Sequence, residues 1–346
     1  MSLTGVLACK YMDYTFAFPP EVRGLKGAVV LQLPPGLKRA AAELVECLRS
    51  IGVDPVVEVD PSYGSCDLHL PQLRDAFGDG VTVLHVGHTP YPPELAARPP
   101  TGDARVIYVN VTFDRPPSEQ VLSQAAELLT SRGVRRVAVL TTAQHVNHYK
   151  YVVESLEAQG LLIERAGSHL PYLVEGQVLG CDYRVVPRSA EGYVMLGGGL
   201  FHGLGLYLAT LRPVVQVDPY RQEARDLTRE GERFLRIRLQ KVSSAMEAMR
   251  WGVIVGTKTG QHRPWVLSAL LKSLRHHGRR YIALASDTLT ISYLRDVDSD
   301  WFQAFVVTSC PRLPIDDLYE YEKPVLTPGE AFMAFQGRLE PYIFPW

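Results

Sequence analysis

The chain has 346 residues, 46% of them hydrophobic and 21% charged, with a formal net charge of -1. That composition belongs to a globular, well-buried protein and not to a disordered one, and the near-zero charge removes the electrostatic footprint of a general nucleic-acid binder. No apolar run approaches the ~20 residues of a membrane span, and the opening MSLTGVLACKYMDYTF lacks a basic stretch followed by a long apolar core, so a cytoplasmic protein is expected.

In chain order, the first apolar run is GAVVLQL, residues 27–33, followed by a turn at Pro34, Pro35 and Gly36. A helical stripe of Leu37, Ala41, Leu44, Val45, Leu48 and Ile51 comes next and ends at Gly52, as a C′ glycine should. The run PVVEV leads into 60-DPSYGSC-66, and VTVLHVG and VIYVNV follow. A helix over 117–133 connects to RRVAVLTTAQH. The next stripe carries Val146, Tyr149, Val153 and Leu156, stops at Gly160, and passes through LLIERA to 176-GQVLGC-181, YVMLGG and VVQVD. A second connecting helix, 221–250, is rich in arginine and glutamate. Its stripe of Leu235, Leu239, Val242 and Met246 reads as one buried face on a solvated helix. WGVIVGTKTGQH then opens a third segment with Val266, Leu270, Leu271 and Leu274, a stop near Gly278, YIALAS, 302-FQAFVVTSC-310 and KPVL.

Each segment reads strand, loop, helix, glycine, strand, which is a parallel βαβ unit. Three similar doubly wound α/β domains of about 110 residues are expected, divided at 1–113, 114–220 and 221–346, around a shared central site.

Five cysteines, Cys9, Cys47, Cys66, Cys181 and Cys310, are an odd number in a chain without a secretion signal, which argues against a disulfide framework. Cys47 lies inside the helical stretch AAAELVECLRS and reads as a packed small hydrophobe; Cys9 lies in a segment read as irregular. Cys66, Cys181 and Cys310 sit among turn formers, one per repeat, 115 and 129 residues apart. Glycine there lets backbone approach an inorganic object, and proline fixes the chain after a ligand. Cys66 and Cys181 precede the third strand of their repeats, whereas Cys310 follows the corresponding strand. Structural zinc takes four protein ligands, often at short spacings, and a [4Fe–4S] cluster normally takes four cysteines. Three thiolates on a cluster would leave one iron able to coordinate a small molecule. The residues alone do not separate this from a catalytic zinc, and no C-x₃-C-x₂-C run is present.

The ordered set 31-LQLPPGL-37, 60-DPSYGSCD-67, 84-LHVGHTPY-91, 141-TTAQH-145, 176-GQVLGCD-182, 201-FHGLG-205, 217-VDPY-220, 256-GTKTGQHR-263 and 309-SCPRLPIDD-317 resembles the archaeal diphthamide-biosynthesis family, the 2-(3-amino-3-carboxypropyl)histidine synthases. The resemblance implies three similar domains. It implies a [4Fe–4S] cluster on Cys66, Cys181 and Cys310, with S-adenosylmethionine at the open iron. It also implies a homodimer and an unidentified electron donor. The implied reaction is a radical transfer of the 3-amino-3-carboxypropyl group to C2 of one histidine of translation elongation factor 2, with no nucleic-acid or membrane partner.

S-adenosylmethionine needs partners for a carboxylate, an amine and an adenosine. Open α/β sheets place ligands at the ends of their strands, where Gln261, His262 and Arg263, then Gln144 and His145, then Pro35 and Gly36 fall. Arg312, beside a cysteine, could pair with a carboxylate. Loop packing and capping are the plainer roles for these residues, for His85, His88 and His202, and for Asp316 and Asp317. Two other readings share the pattern. One is a three-domain Lewis-acid enzyme of the quinolinate synthase type, or the last reductase of the non-mevalonate isoprenoid route. The other is a non-catalytic accessory subunit like the paralogue in the eukaryotic enzyme. A plain zinc or small-molecule binder is the remaining possibility.

Overall fold

A computed structural model describes residues 5–91, 104–167, 173–258 and 260–346. The β-branched runs form three sheets. The first contains the hairpin β1 (Leu7–Tyr11) and β2 (Tyr14–Phe18), then β3 (Val29–Gln32), β4 (Val56–Val57), β5 (Thr82–Val86) and β6 (Arg105–Phe113). Between β3 and β4 the chain makes a 3₁₀ turn, Pro35–Ala40, and helix α1 (Ala41–Arg49); α2 (Leu70–Phe77) precedes β5. The stripe read from sequence is the packing face: Leu37, Leu44 and Leu48 are buried, and Ala41, Val45 and Ile51 pack at its margin.

The second sheet follows α3 (Glu119–Thr130) with β7 (Arg136–Thr141), α4 (Tyr149–Ala158), β8 (Leu162–Ile163), β9 (Gly192–Leu196), α5 (Phe201–Thr210), β10 (Val214–Asp218) and β11 (Glu223–Asp226). The third follows α6 (Thr228–Ala245) with β12 (Arg250–Gly256), α7 (Pro264–His276), β13 (Arg280–Ser286), α8 (Ile291–Val297), β14 (Ala304–Val307), β15 (Val325–Leu326) and α9 (Pro328–Phe335).

Strand order is β1-β2-β6-β5-β3-β4, β11-β10-β9-β7-β8 and β13-β12-β14-β15. Counting the parallel strands of each sheet in chain order gives the same sequence, second-first-third-fourth, three times. The order reverses between first and third strands, so each sheet has a switch point where its strand-end loops splay apart and leave a crevice. The α/β expectation holds, with two departures. The β1–β2 hairpin joins β6 antiparallel, and β11 joins β10 antiparallel. Both additions occupy a sheet edge that would otherwise present unpaired backbone groups. The connecting helices are shorter than expected, because 223–226 is strand and the second sheet runs past residue 220.

The cysteine parity argument fails. Cys9 lies in β1, not in irregular chain, and is bonded to Cys47 of α1, with Cα atoms 6.2 Å apart. An odd total here is one disulfide plus three free thiols, Cys66, Cys181 and Cys310.

A buried ion pair anchors the third unit. Arg238 on α6 and Glu330 on α9 are both fully buried, and the guanidinium also donates to the Pro314 and Val325 carbonyls. Glu330 closes a capping box with Thr327 and accepts from the Tyr342 hydroxyl, so its lone pairs are filled.

Candidate metal centre

The three free cysteines come from three sheets and meet. The Cys181 thiol lies within electrostatic reach of both Cys66 and Cys310, and Cys66 within reach of Cys310. Two glycines make the approach possible. A Cβ at Gly260 would fall 2.3 Å from Cys66 Cα, and one at Gly256, the end of β12, would fall 2.4 Å from Ser309 Cβ. Both are contacts that only a residue without a side chain allows. The Cys181 loop is held by backbone pairing of Val178 to Thr141 at the end of β7 and of Asp182 to Leu179.

Burial pushes the Cys66 thiol up to about 12; Cys310 and Asp67 push the same way, while Arg263 and Gln261 oppose. Burial also raises Cys181 and Cys310. Such thiols stay protonated until a cation replaces the proton, as metal binding does.

Among the expected contacts, Gln261 and Arg263 stand at this centre. Gln261 Nε2 lies 3.8 Å from Cys66 Sγ. Arg263 is buried, donates to the Ser309 carbonyl, stacks 4.6 Å from the Trp346 ring centroid, and acts electrostatically on all three thiols. Arg312 pairs with Asp316 at 2.8 Å and Asp317 at 3.5 Å and lies over the rings of Tyr63 and Phe201, so its charge is already balanced. Asp316 and Asp317 belong to the π-helical turn Leu313–Asp317 and meet Arg312.

Gln144 and His145 open the 3₁₀ turn after β7. Gln144 accepts from the Tyr220 hydroxyl at 3.4 Å. His145 is buried edge-on to Phe113 and Tyr220; its Nδ1 has no partner among the described residues, and burial lowers it to about 4. Pro35 and Gly36 begin the turn after β3, with open space at Gly36. His262 Nδ1 contacts the Gly256 carbonyl at 3.4 Å, and His202 is held neutral by burial near Arg312.

Sequence reasoning missed a polar network behind Cys66. Lys258 donates to Asp67, an ion pair between the third unit and the first. His69, at a positive φ of 48°, bridges Asp67 and Glu58 at 2.9 Å each. The two carboxylates outweigh the burial penalty and raise His69 to about 9. Gln32 donates to Glu58 at 2.6 Å and to the Leu68 carbonyl at 3.0 Å. The available signal was the repeated Cys-Asp at 66–67 and 181–182; Asp182 likewise is buried and turned onto its own loop, pairing with Arg184.

The donor set is sulfur alone, which suits iron–sulfur or zinc chemistry over hard cations. Among the described residues, no three His, Cys, Asp or Glu donors close around a single ion, and no helix is long and apolar enough to cross a membrane.

These features define a three-sheet α/β protein that converges one free cysteine from each sheet on a common buried site. Residues 33–343 match the family model described as putative diphthamide synthesis protein, and the chain belongs to that family. It is 35% identical over 319 residues to the 2-(3-amino-3-carboxypropyl)histidine synthase of Pyrococcus horikoshii, covering 91% of this chain and 87% of that protein. Human 2-(3-amino-3-carboxypropyl)histidine synthase subunit 1 is 28% identical over 94% of this chain and 72% of its own length. The crystal structure of Dph2 from Pyrococcus horikoshii with a 4Fe-4S cluster aligns with a TM-score of 0.77 at 31% identity, covering 94% of this chain and 91% of that one. The relatives' names are those of a transferase, in agreement with the expected class of enzyme.

Proposed function

We propose that this chain holds one [4Fe–4S] cluster on Cys66, Cys181 and Cys310 and transfers the 3-amino-3-carboxypropyl group of S-adenosylmethionine to C2 of a histidine in translation elongation factor 2. This is the first step of diphthamide formation. The observation that carries the reading is the meeting of three free thiols from three sheets, in a chain of this family. The all-sulfur donor set, in a chain that aligns with a Pyrococcus horikoshii structure carrying a 4Fe-4S cluster, favours a polynuclear core over a mononuclear zinc. Retention of all three cysteines favours a self-sufficient subunit over an accessory one.

Cys66, Cys181 and Cys310 would hold the cluster, which would supply one electron to the sulfonium. The protein's own part is placement and exclusion of water. Arg263 offsets the charge of three thiolates from within the buried site. Gln261 supplies a donor beside Cys66. The strand-end loops at Gln144–His145 and Pro35–Gly36 offer positions for the methionine and adenosine parts, with the Gln144 side chain as a hydrogen-bonding group. The enzyme works as a cytoplasmic homodimer with a separate electron donor.

The test is anaerobic reconstitution followed by dithionite and S-adenosylmethionine. Methylthioadenosine release and modified elongation factor are expected, each abolished in Cys66→Ala, Cys181→Ala and Cys310→Ala. Full activity of Cys181→Ala, or a reconstituted wild type without iron, would overturn the reading.

A further inference from the structure

The segment after β5, Gly87-His88-Thr89-Pro90-Tyr91, runs between two cysteine loops. Ser65, which precedes Cys66, donates to the Thr89 and Tyr91 carbonyls at 2.7 and 3.0 Å. Gln177, in the Cys181 loop, donates to Thr89 Oγ1 at 2.6 Å. His88 is thereby placed at the wall shared by the first and second units, within electrostatic reach of Asp67 and His202.

The hydrogen-bond network fixes which nitrogens of this residue carry protons. Gln32 spends its NH₂ on Glu58 and the Leu68 carbonyl, so its Oε1 is an acceptor. His85 Nδ1 contacts that oxygen and must carry hydrogen. His85 is fully buried with no carboxylate among its hydrogen-bond partners, and burial keeps it neutral. Its Nε2 is therefore an acceptor. His88 Nδ1, 3.0 Å away, must be the donor. A neutral ring has one N–H, so His88 Nε2 is left with a bare lone pair. That atom has no partner among the described residues, and the ring is only partly exposed.

We propose that His88 Nε2 accepts the ring N–H of the histidine being modified, a role that rests on the function proposed above. C2 of an imidazole lies between its two nitrogens, so one hydrogen bond at either nitrogen fixes where C2 sits relative to the cysteine site. Glu58, Gln32 and His85 act as positioning residues, because together they hold the His88 tautomer.

Two measurements test this. In the cluster-free protein labelled with ¹⁵N-histidine, His88 shows a protonated Nδ1 and an unprotonated, pyridine-type Nε2 at neutral pH, assigned by its loss in His88→Phe. A protonated Nε2 overturns the proposal. In the reconstituted enzyme, His88→Phe lowers histidine modification about tenfold, the worth of one hydrogen bond, and raises KM for the elongation factor. Iron content stays at the wild-type level. His88→Gln, which keeps an acceptor, recovers part of the loss. Unchanged modification by His88→Phe overturns the proposal. A wild type that modifies no histidine would sink the proposed function instead, and the tautomer measurement would still decide whether His88 offers a free acceptor.

Discussion

Gly260→Ala is the most economical probe of the centre, because one methyl group separates the two units that hold it. The added Cβ would lie 2.3 Å from Cys66 Cα, 2.8 Å from its Cβ and 2.9 Å from its carbonyl carbon. Carbon atoms pack at about 3.5–4.0 Å, so the loops must part by roughly 1–1.5 Å. Two of the three obstructing atoms are backbone, and no rotamer change relieves them. The movement changes the position of Cys66 relative to Cys181 and Cys310. A displacement of about 1 Å in a reacting constellation costs on the order of a hundredfold in rate. Both loops lie outside the strand ladders, so the melting temperature should move little. The assay is anaerobic reconstitution with iron and acid-labile sulfide counted per chain, then product by mass spectrometry. Gly80→Ala, which meets nothing within 4 Å, is the control. A Gly260→Ala protein with full iron and wild-type turnover would refute the close contact of the two loops.

Cys47→Ala, or reduction of the Cys9–Cys47 bond, opens a loop of 38 residues and should cost up to about 4 kcal/mol of stability by the chain-entropy argument, while turnover at moderate temperature persists; urea titrations with and without reductant measure it. Arg238→Met leaves the Glu330 carboxylate buried without a counter-charge, a loss of about 3–5 kcal/mol in denaturant unfolding, and pairing it with Glu330→Leu should recover most of that. His69 gives a pH signature. Its folded pKa, about 9, exceeds the roughly 6.5 of a free histidine. Its stabilisation is therefore complete below about pH 6.5 and disappears as pH rises through about 9. The full effect is on the order of 3 kcal/mol. Melting temperatures between pH 6 and 9.5 should fall more steeply in wild type than in His69→Gln, and parallel curves would exclude the Asp67–His69–Glu58 bridge.

The repeated unit was legible because its signals are local. Periodicity in Leu37–Leu48, Tyr149–Leu156 and Leu270–Leu274 marks faces that a sheet must cover, and glycines end the helices on schedule. The three cysteine ligand candidates were legible because each stands in a turn within an otherwise regular unit. The Cys9–Cys47 pair was hidden because a bond between a strand and a helix follows tertiary register, which no spacing reports. The Glu58–His69–Asp67–Lys258 network was hidden for a similar reason. Lys258 lies 191 residues from Asp67, and a lysine in a polar loop looks the same whether it is solvated or ion-paired. Position did place Gln261 and Arg263 beside the thiols, because the end of a first strand at a switch point has a fixed location in this topology. It did not show that Arg312 is already paired with two carboxylates.

Equal sheets do not require equal ligands, and the departure from threefold symmetry has a physical consequence. Cys66 and Cys181 leave the connection between second and third strands and are each followed by a buried aspartate. Cys310 leaves the end of the third strand, is followed by Pro311, and has Arg312 two residues on. Lys258 and His69 neutralise the carboxylate beside Cys66 and Arg184 the one beside Cys181, while Arg312, beside Cys310, is itself paired with Asp316 and Asp317. The three thiols share one chemistry but not one setting: two stand beside a paired aspartate and the third beside an arginine clamped by two aspartates, so the same group meets a different charge arrangement in each unit.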